Sequence, residues 1–140
     1  MANNYQLNRN ICPPNHPNGK LTLNTPEHHL MENGLNIYYI EEGLEEVCRV
    51  DVVIGAGSVS QSKKLCASFT NTLLKEGTRQ LSSKQIAEKL DFHGAFLSNS
   101  MSKDKSVLTL FSIGKYLGEL LPMVKEIVTE AIFIESEFLV

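Results

Sequence analysis

Apolar and polar positions alternate early in the chain and switch to helical spacing further on. The segment HHLMENGLNIYYIEE, from His28 to Glu42, sets Asn33-Gly34 between two apolar runs, a combination that predicts a β-hairpin. In its second arm Leu35, Ile37 and Tyr39 alternate with Asn36, Tyr38 and Ile40, as in a strand with one face well buried. EVCRVDVVIGAGS predicts another strand, with Cys48, Val50, Val52 and Ile54 on one face and Arg49 and Asp51 on the other. It runs into Gly55-Ala56-Gly57, where the backbone is free to turn sharply.

Helical spacing begins at LCASFTNTLLKEGT, Leu65 to Thr78. On a helical wheel Leu65, Cys66, Phe69 and Leu73 share one side, flanked by Ala67 and Leu74, while Ser68, Asn71, Thr72 and Lys75 form a narrow polar arc. Gly77 is positioned to end this helix as its C′ residue. A second helix has a full start signal: Ser82 as N-cap, Gln85 completing a capping box, and Leu81 with Ile86 as a hydrophobic staple. It ends near His93-Gly94. AFLSNSM and SVLTLFSI read as two strands joined by a polar turn over Ser102 to Lys105. From about Lys115, apolar residues recur at Leu117, Leu120, Leu121, Val124, Ile127, Val128 and Ala131, a third helix. Pro122 inside this pattern predicts either a kink or a helix start displaced to Pro122.

Strand pair, two helices, strand pair, helix: this order predicts an α+β two-layer sandwich, its sheet largely antiparallel and its helices on one face. Residues 1–27 read as an extended lead-in, rich in Asn and holding Pro13, Pro14, Pro17 and Pro26. Residues 28–140 read as one domain, expected to be cut at its C-terminus because ESEFLV carries apolar residues and no cap. Ile132, Phe133, Ile134, Phe138, Leu139 and Val140 would then lie close together with little chain to cover them, which favours self-association or a partner.

Composition narrows the classes. The 140 residues are 42% hydrophobic and 21% charged, as in an ordinary globular domain able to bury roughly 68% of its unfolded surface. A net charge of −3 argues against nucleic acid and against an anionic membrane surface. No apolar run approaches the roughly 18 residues that span a bilayer, and MANNYQLNRN lacks the apolar core of a signal peptide. The chain therefore reads as soluble, cytoplasmic or periplasmic, with no membrane insertion. Cys12, Cys48 and Cys66 are odd in number and widely spaced, which fits reduced structural thiols; Cys66, on the apolar side of its helix, reads as packing.

Few other residues offer chemistry. His28 and His29 are adjacent, so on a strand they point to opposite faces and cannot hold one ion together. His16 lies in the lead-in, and His93 sits at a helix end, where a cation suits the dipole. Glu41, Glu42, Glu45 and Glu46 read as a solvated acidic loop. Gly55-Ala56-Gly57-Ser58 lacks the Lys and the spacing of a phosphate loop.

Several of these words, in this order, resemble the N-terminal domain of the pitrilysin/insulinase family of inverted-motif zinc peptidases. They are LMENGLNIYYIEE, VIGAGSVSQ, ASFTNTLLKEGT, HGAFLSNSMSKDKSVLTLFSI and LPMVKEIVTEAIFIESEF, covering about residues 28–140. The resemblance implies that the helix containing Asn71 is the active-site helix. Active members carry H-x-x-E-H there, two His on one face that reach a zinc ion and a Glu that activates water. Aligned through LLKEGT, those positions are Ser68, Asn71 and Thr72. Hydroxyls and an amide are poor zinc ligands, and none is a useful base near neutral pH. The third ligand, a Glu, would fall past Val140. No cofactor is expected in this chain, although active relatives use zinc.

The resemblance also implies that AFLSNSM is a sheet edge on which an extended peptide adds as a further strand, near Ser98, Asn99 and Ser100. The reading is a catalytically inactive homologue, a partner or peptide-binding subunit of a pitrilysin-type peptidase. Its partners would be a homologous peptidase domain or subunit and peptides, with homo-oligomerisation a further expectation. Two alternatives stand beside it: a fragment of an active zinc peptidase whose motif lies in another domain or chain, and an α+β interaction module.

Overall fold

The computed structural model describes residues 22–43 and 46–134, with positions 10, 12 and 19. The chain divides into two compact units, Met1–Glu42 and Gly43–Val140, each described by itself.

In the first unit β1 (Glu27–Leu30) pairs antiparallel with β2 (Asn36–Tyr39), from Glu27 opposite Tyr39 to Leu30 opposite Asn36. The turn forms where the Asn-Gly pair predicts it. Gly34 adopts φ 83°, a conformation glycine takes without steric cost, and the Asn33 side chain accepts from the Leu35 amide at 3.1 Å. Across the ladder His28 stacks on Tyr38, ring centroids 4.6 Å apart, and meets the Asn36 side-chain oxygen at 2.8 Å. The expected buried face of β2 is not found: Asn36–Tyr39 is exposed throughout. Two strands cover each other's edges, whereas burying a face takes a packed second layer.

The second unit is built on β5 (Ser106–Ile113), the central strand of a three-stranded antiparallel sheet. It pairs with β3 (Val47–Ile54) on one side and with β4 (Phe96–Met101) on the other. Val50, Leu110 and Leu97 stand side by side on one face, as do Val52, Leu108 and Asn99. Against that face pack α2 (Ser83–Phe92) and α3 (Leu117–Glu130), whose Ile86, Leu120, Met123, Val124 and Ile127 complete the core. Each fully buried aliphatic side chain contributes about 1.5–3 kcal/mol. The alternation read from β3 holds, with Cys48, Val50, Val52 and Ile54 half-buried and the intervening residues exposed.

The capping box of α2 forms as expected, Ser82 Oγ accepting from the Gln85 amide and the Gln85 side chain accepting from the Ser82 amide at 2.9 Å. Gly94, at φ 59°, follows the His93 cap and turns the chain into β4. The turn before β5 closes through the Ser102 amide and the Lys105 carbonyl, 2.8 Å apart. Helix α3 begins at Leu117, after a 3-10 turn over Gly114–Tyr116, so its start is not displaced to Pro122. Pro122 lies inside the helix on its exposed side, as does Gly118, whose carbonyl loses its partner to the proline ring. Water can hydrogen-bond that carbonyl, which makes the proline tolerable there.

Helix α1 (Cys66–Leu73) departs most from its wheel. Leu65 precedes the helix at φ 68° and is 61% exposed, and Cys66 and Phe69 are exposed too. The inner side is formed by Leu73 and Leu74, with Ala67, Ser68, Asn71 and Lys75 half-buried. Cys66 is therefore not a packing residue. Gly77 is not the C′ residue either, since α1 ends at Leu73 with Leu74 as its cap; Gly77 instead bridges Ser82. After α3, Ala131 bridges Thr78, and Ile132, Phe133 and Ile134 are exposed. The other members of the expected apolar cluster, Phe138, Leu139 and Val140, lie outside the described residues.

Gly57 sets how closely two loops approach. A Cβ there would overlap the Lys103 carbonyl and the Asp104 amide, in a segment where the Ser58 amide already donates to the Ser102 carbonyl and the Val59 amide to that of Lys103. Gly57→Ala is expected to destabilise the fold by about 1–3 kcal/mol, while Gly55→Ala, with open space around it, changes stability by less than about 0.5 kcal/mol. Urea unfolding of the two variants measures the difference, and equal midpoints would show that the loops separate freely.

Candidate functional site

Ser68, Asn71 and Thr72, the positions that the resemblance aligns with H-x-x-E-H, all lie on α1. The start of that helix is held by Gln61, whose side-chain oxygen accepts from the Ala67 amide at 3.3 Å and so satisfies one of the unpaired donors of the first turn. Sequence reasoning missed Gln61, because it caps from outside the helix across a loop with no fixed spacing. At the other end, the Asn71 carbonyl is one of the last four of α1, which lack intrahelical partners. It accepts a hydrogen bond from the Asn99 side chain of β4.

That bond joins the two candidate sets. Asn71, from the motif positions, meets Asn99, from the proposed peptide edge. Ser68 is half-buried and Thr72 exposed. Ser98 and Ser100 alternate with Asn99 along β4 and so point to the opposite face, where Ser98 stands opposite Thr109. Among the described residues, strand β4 has β5 on one side only and is an edge of its sheet.

Two concavities flank this region. One, of about 390 Å³, lies beside the start of α1 and is lined by Ile54, Ala56, Cys66, Thr70, Asn71 and Leu74 among others. The second, of about 440 Å³, runs between α2 and β4, with an apolar floor of Ile86, Leu90, Ala95 and Leu97 and charges at Lys75, Glu76, Lys84 and Asp91. On the helix-free face, Arg49 pairs with Asp51 at 2.9 Å and lies 5.5 Å over the Phe111 ring, whose centroid is 6.5 Å from that of Phe96. Partial burial pushes the Asp51 carboxyl upward, but the Thr109 hydroxyl at 2.7 Å and the Arg49 guanidinium outweigh it and hold it below the usual range.

Zinc does not fit the motif positions. Hydroxyls at Ser68 and Thr72 and an amide at Asn71 offer neither the imidazoles nor the carboxylate such a site is built from. Among the described residues, no three His, Cys, Asp or Glu side chains are grouped to hold a metal ion. Among the described residues, too, no helix is long and apolar enough to cross a membrane.

The fold recurs in solved structures. The inactive domain of an M16 peptidase from Pseudomonas fluorescens superposes with a TM-score of 0.74 at 22% identity, over 81% of this chain and 28% of that one. A protease from Helicobacter pylori gives 0.73 at 23% identity, over 84% of this chain and 29% of that one. The chain thus spans less than a third of the length of either. A comparison with curated proteins found no match. The sequence model of the insulinase family, peptidase family M16, matches residues 37–139, most of the chain. The protein belongs to the insulinase family, peptidase family M16.

Proposed function

We propose that this chain is a catalytically inactive member of its family, a partner or peptide-binding unit for a homologous domain that carries the metal. The carrying observation is the chemistry of α1: Ser68, Asn71 and Thr72 stand where imidazole, carboxylate and imidazole would be needed. The description of the Pseudomonas fluorescens neighbour as an inactive domain supports the same reading. So does the chain's small share of its neighbours' length, which leaves room for a second, metal-bearing domain in the same protein or in a partner.

Peptide binding is assigned to the free edge of β4. Its outward backbone N–H and C=O groups can pair with an extended peptide whatever the chemistry of α1. Around Ser98, Asn99 and Ser100 the side chains play a secondary part. Asn99 is engaged with Asn71, which fixes α1 against the edge strand without a metal.

Zinc content, a restored motif and peptide affinity test this reading. The purified chain is expected to hold no stoichiometric zinc after dialysis against a weak chelator, and one zinc per chain by elemental analysis would overturn the inactive-homologue reading. The triple variant Ser68→His, Asn71→Glu, Thr72→His is expected to gain weak zinc binding and no peptidase turnover, because the two imidazoles that α1 would then offer are fewer than the three protein ligands of a catalytic zinc site. For the edge, Ser98→Ala and Ser100→Ala are expected to change the affinity for an extended peptide by less than about twofold. N-methylation of alternate peptide amides is expected to weaken it about tenfold, since each lost backbone bond counts. Unchanged binding of the methylated peptide, followed by fluorescence anisotropy, would rule out strand addition.

A further inference from the structure

His93 ends α2 and is 6% exposed, yet its ring is fully bonded. Nδ1 lies 2.8 Å from the Lys89 carbonyl and Nε2 lies 3.0 Å from a carboxylate oxygen of Glu119, in the first turn of α3. Both partners are acceptors. A neutral imidazole has a single N–H, so only the doubly protonated ring can donate to both at once. The Lys89 carbonyl is one of the last four of α2, where a cation also suits the helix dipole. Phe92 and Tyr116 close edge-on around the ring, with centroids at 5.0 and 4.9 Å.

We propose that His93 is a pH-sensitive latch between the end of α2 and the start of α3, closed when the ring carries its second proton and released at Glu119 when it loses it. The chain runs from this residue through Gly94 and Ala95 directly into Phe96, the first residue of β4. Their amides hang on the same last turn, Gly94 donating to Asp91 at 3.0 Å and Ala95 to Leu90 at 2.9 Å. Release therefore loosens the turn that positions the start of the sheet edge.

The groups around the ring favour its doubly protonated, closed form. The Lys89 carbonyl bond contributes most, then the Glu119 bond and its charge, and together they raise His93 above the ordinary histidine value of 6.5 against burial and the Lys89 ammonium. Facing it from the turn before α3 is Tyr116, with the Lys115 ammonium 4.7 Å from the centroid of the tyrosine ring. Because the folded value is raised, the latch adds stability that is full below the unfolded value and lost as pH rises through the folded one.

The test needs no ligand. Ring proton resonances, assigned by their loss in His93→Gln, are expected to show His93 titrating above 6.5 in the whole chain and at lower pH in Glu119→Gln. Glu119 is largely exposed, so that variant keeps the fold even where His93→Gln does not. Amide exchange at residues 93–97, corrected for intrinsic rates, is expected to speed up several-fold across the same transition and to lose this pH dependence in Glu119→Gln. A His93 titration at or below the ordinary value, or one that Glu119→Gln leaves in place, would overturn the latch. So would exchange at residues 93–97 that ignores the transition.

Discussion

In the unit from Gly43 onward, everything rests on a sheet that is covered from one side. Strand β5 pairs along its whole length with β3 and most of its length with β4, and its Leu108 and Leu110 are each 1% exposed beneath α2 and α3. With helices on one face only, the opposite face keeps Val47, Val53, Phe96 and Phe111 exposed, Phe111 under the Arg49 guanidinium. Among the described residues, the same three-strand width leaves β4 as an edge. The candidate site exists because the sheet stops there.

Helix α1 depends on its neighbours to stay in place. It is eight residues long, too short to be stable alone, and its first turn has no acidic residue. Contacts from outside hold it: Gln61 at its start, Asn99 at its end, and Leu73 and Leu74 turned inward. The Asn71–Asn99 bond joins the helix to the edge strand through a backbone carbonyl, so it asks nothing of the side chain at position 71.

His93 holds a comparable place at the other end of β4. One imidazole caps α2, reaches α3 and precedes the turn into the strand. Among the described residues no buried side-chain polar atom lacks a hydrogen-bond partner, so the polar groups that enter the interior, His93 and Thr78 among them, are satisfied there. A buried group of that kind carries the large penalty of being left unpaired, which makes its protonation state a structural variable.

Local rules were enough to read much of this from the sequence. Asn33-Gly34 dictated a turn, Ser82 and Gln85 a helix start, and the alternation of β3 its two faces, because each depends on residues a few positions apart. The family was legible too, from words spread along most of the chain. The tertiary structure decided which side of α1 turns inward, since a short helix follows its contacts with β4 and not its own apolar stripe. It also decided that Pro122 sits on a wet face where the helix can run through it, and that His93 meets Glu119, 26 residues away. Spacing along the chain sets local conformation, whereas burial and long-range pairing depend on which surfaces meet after folding.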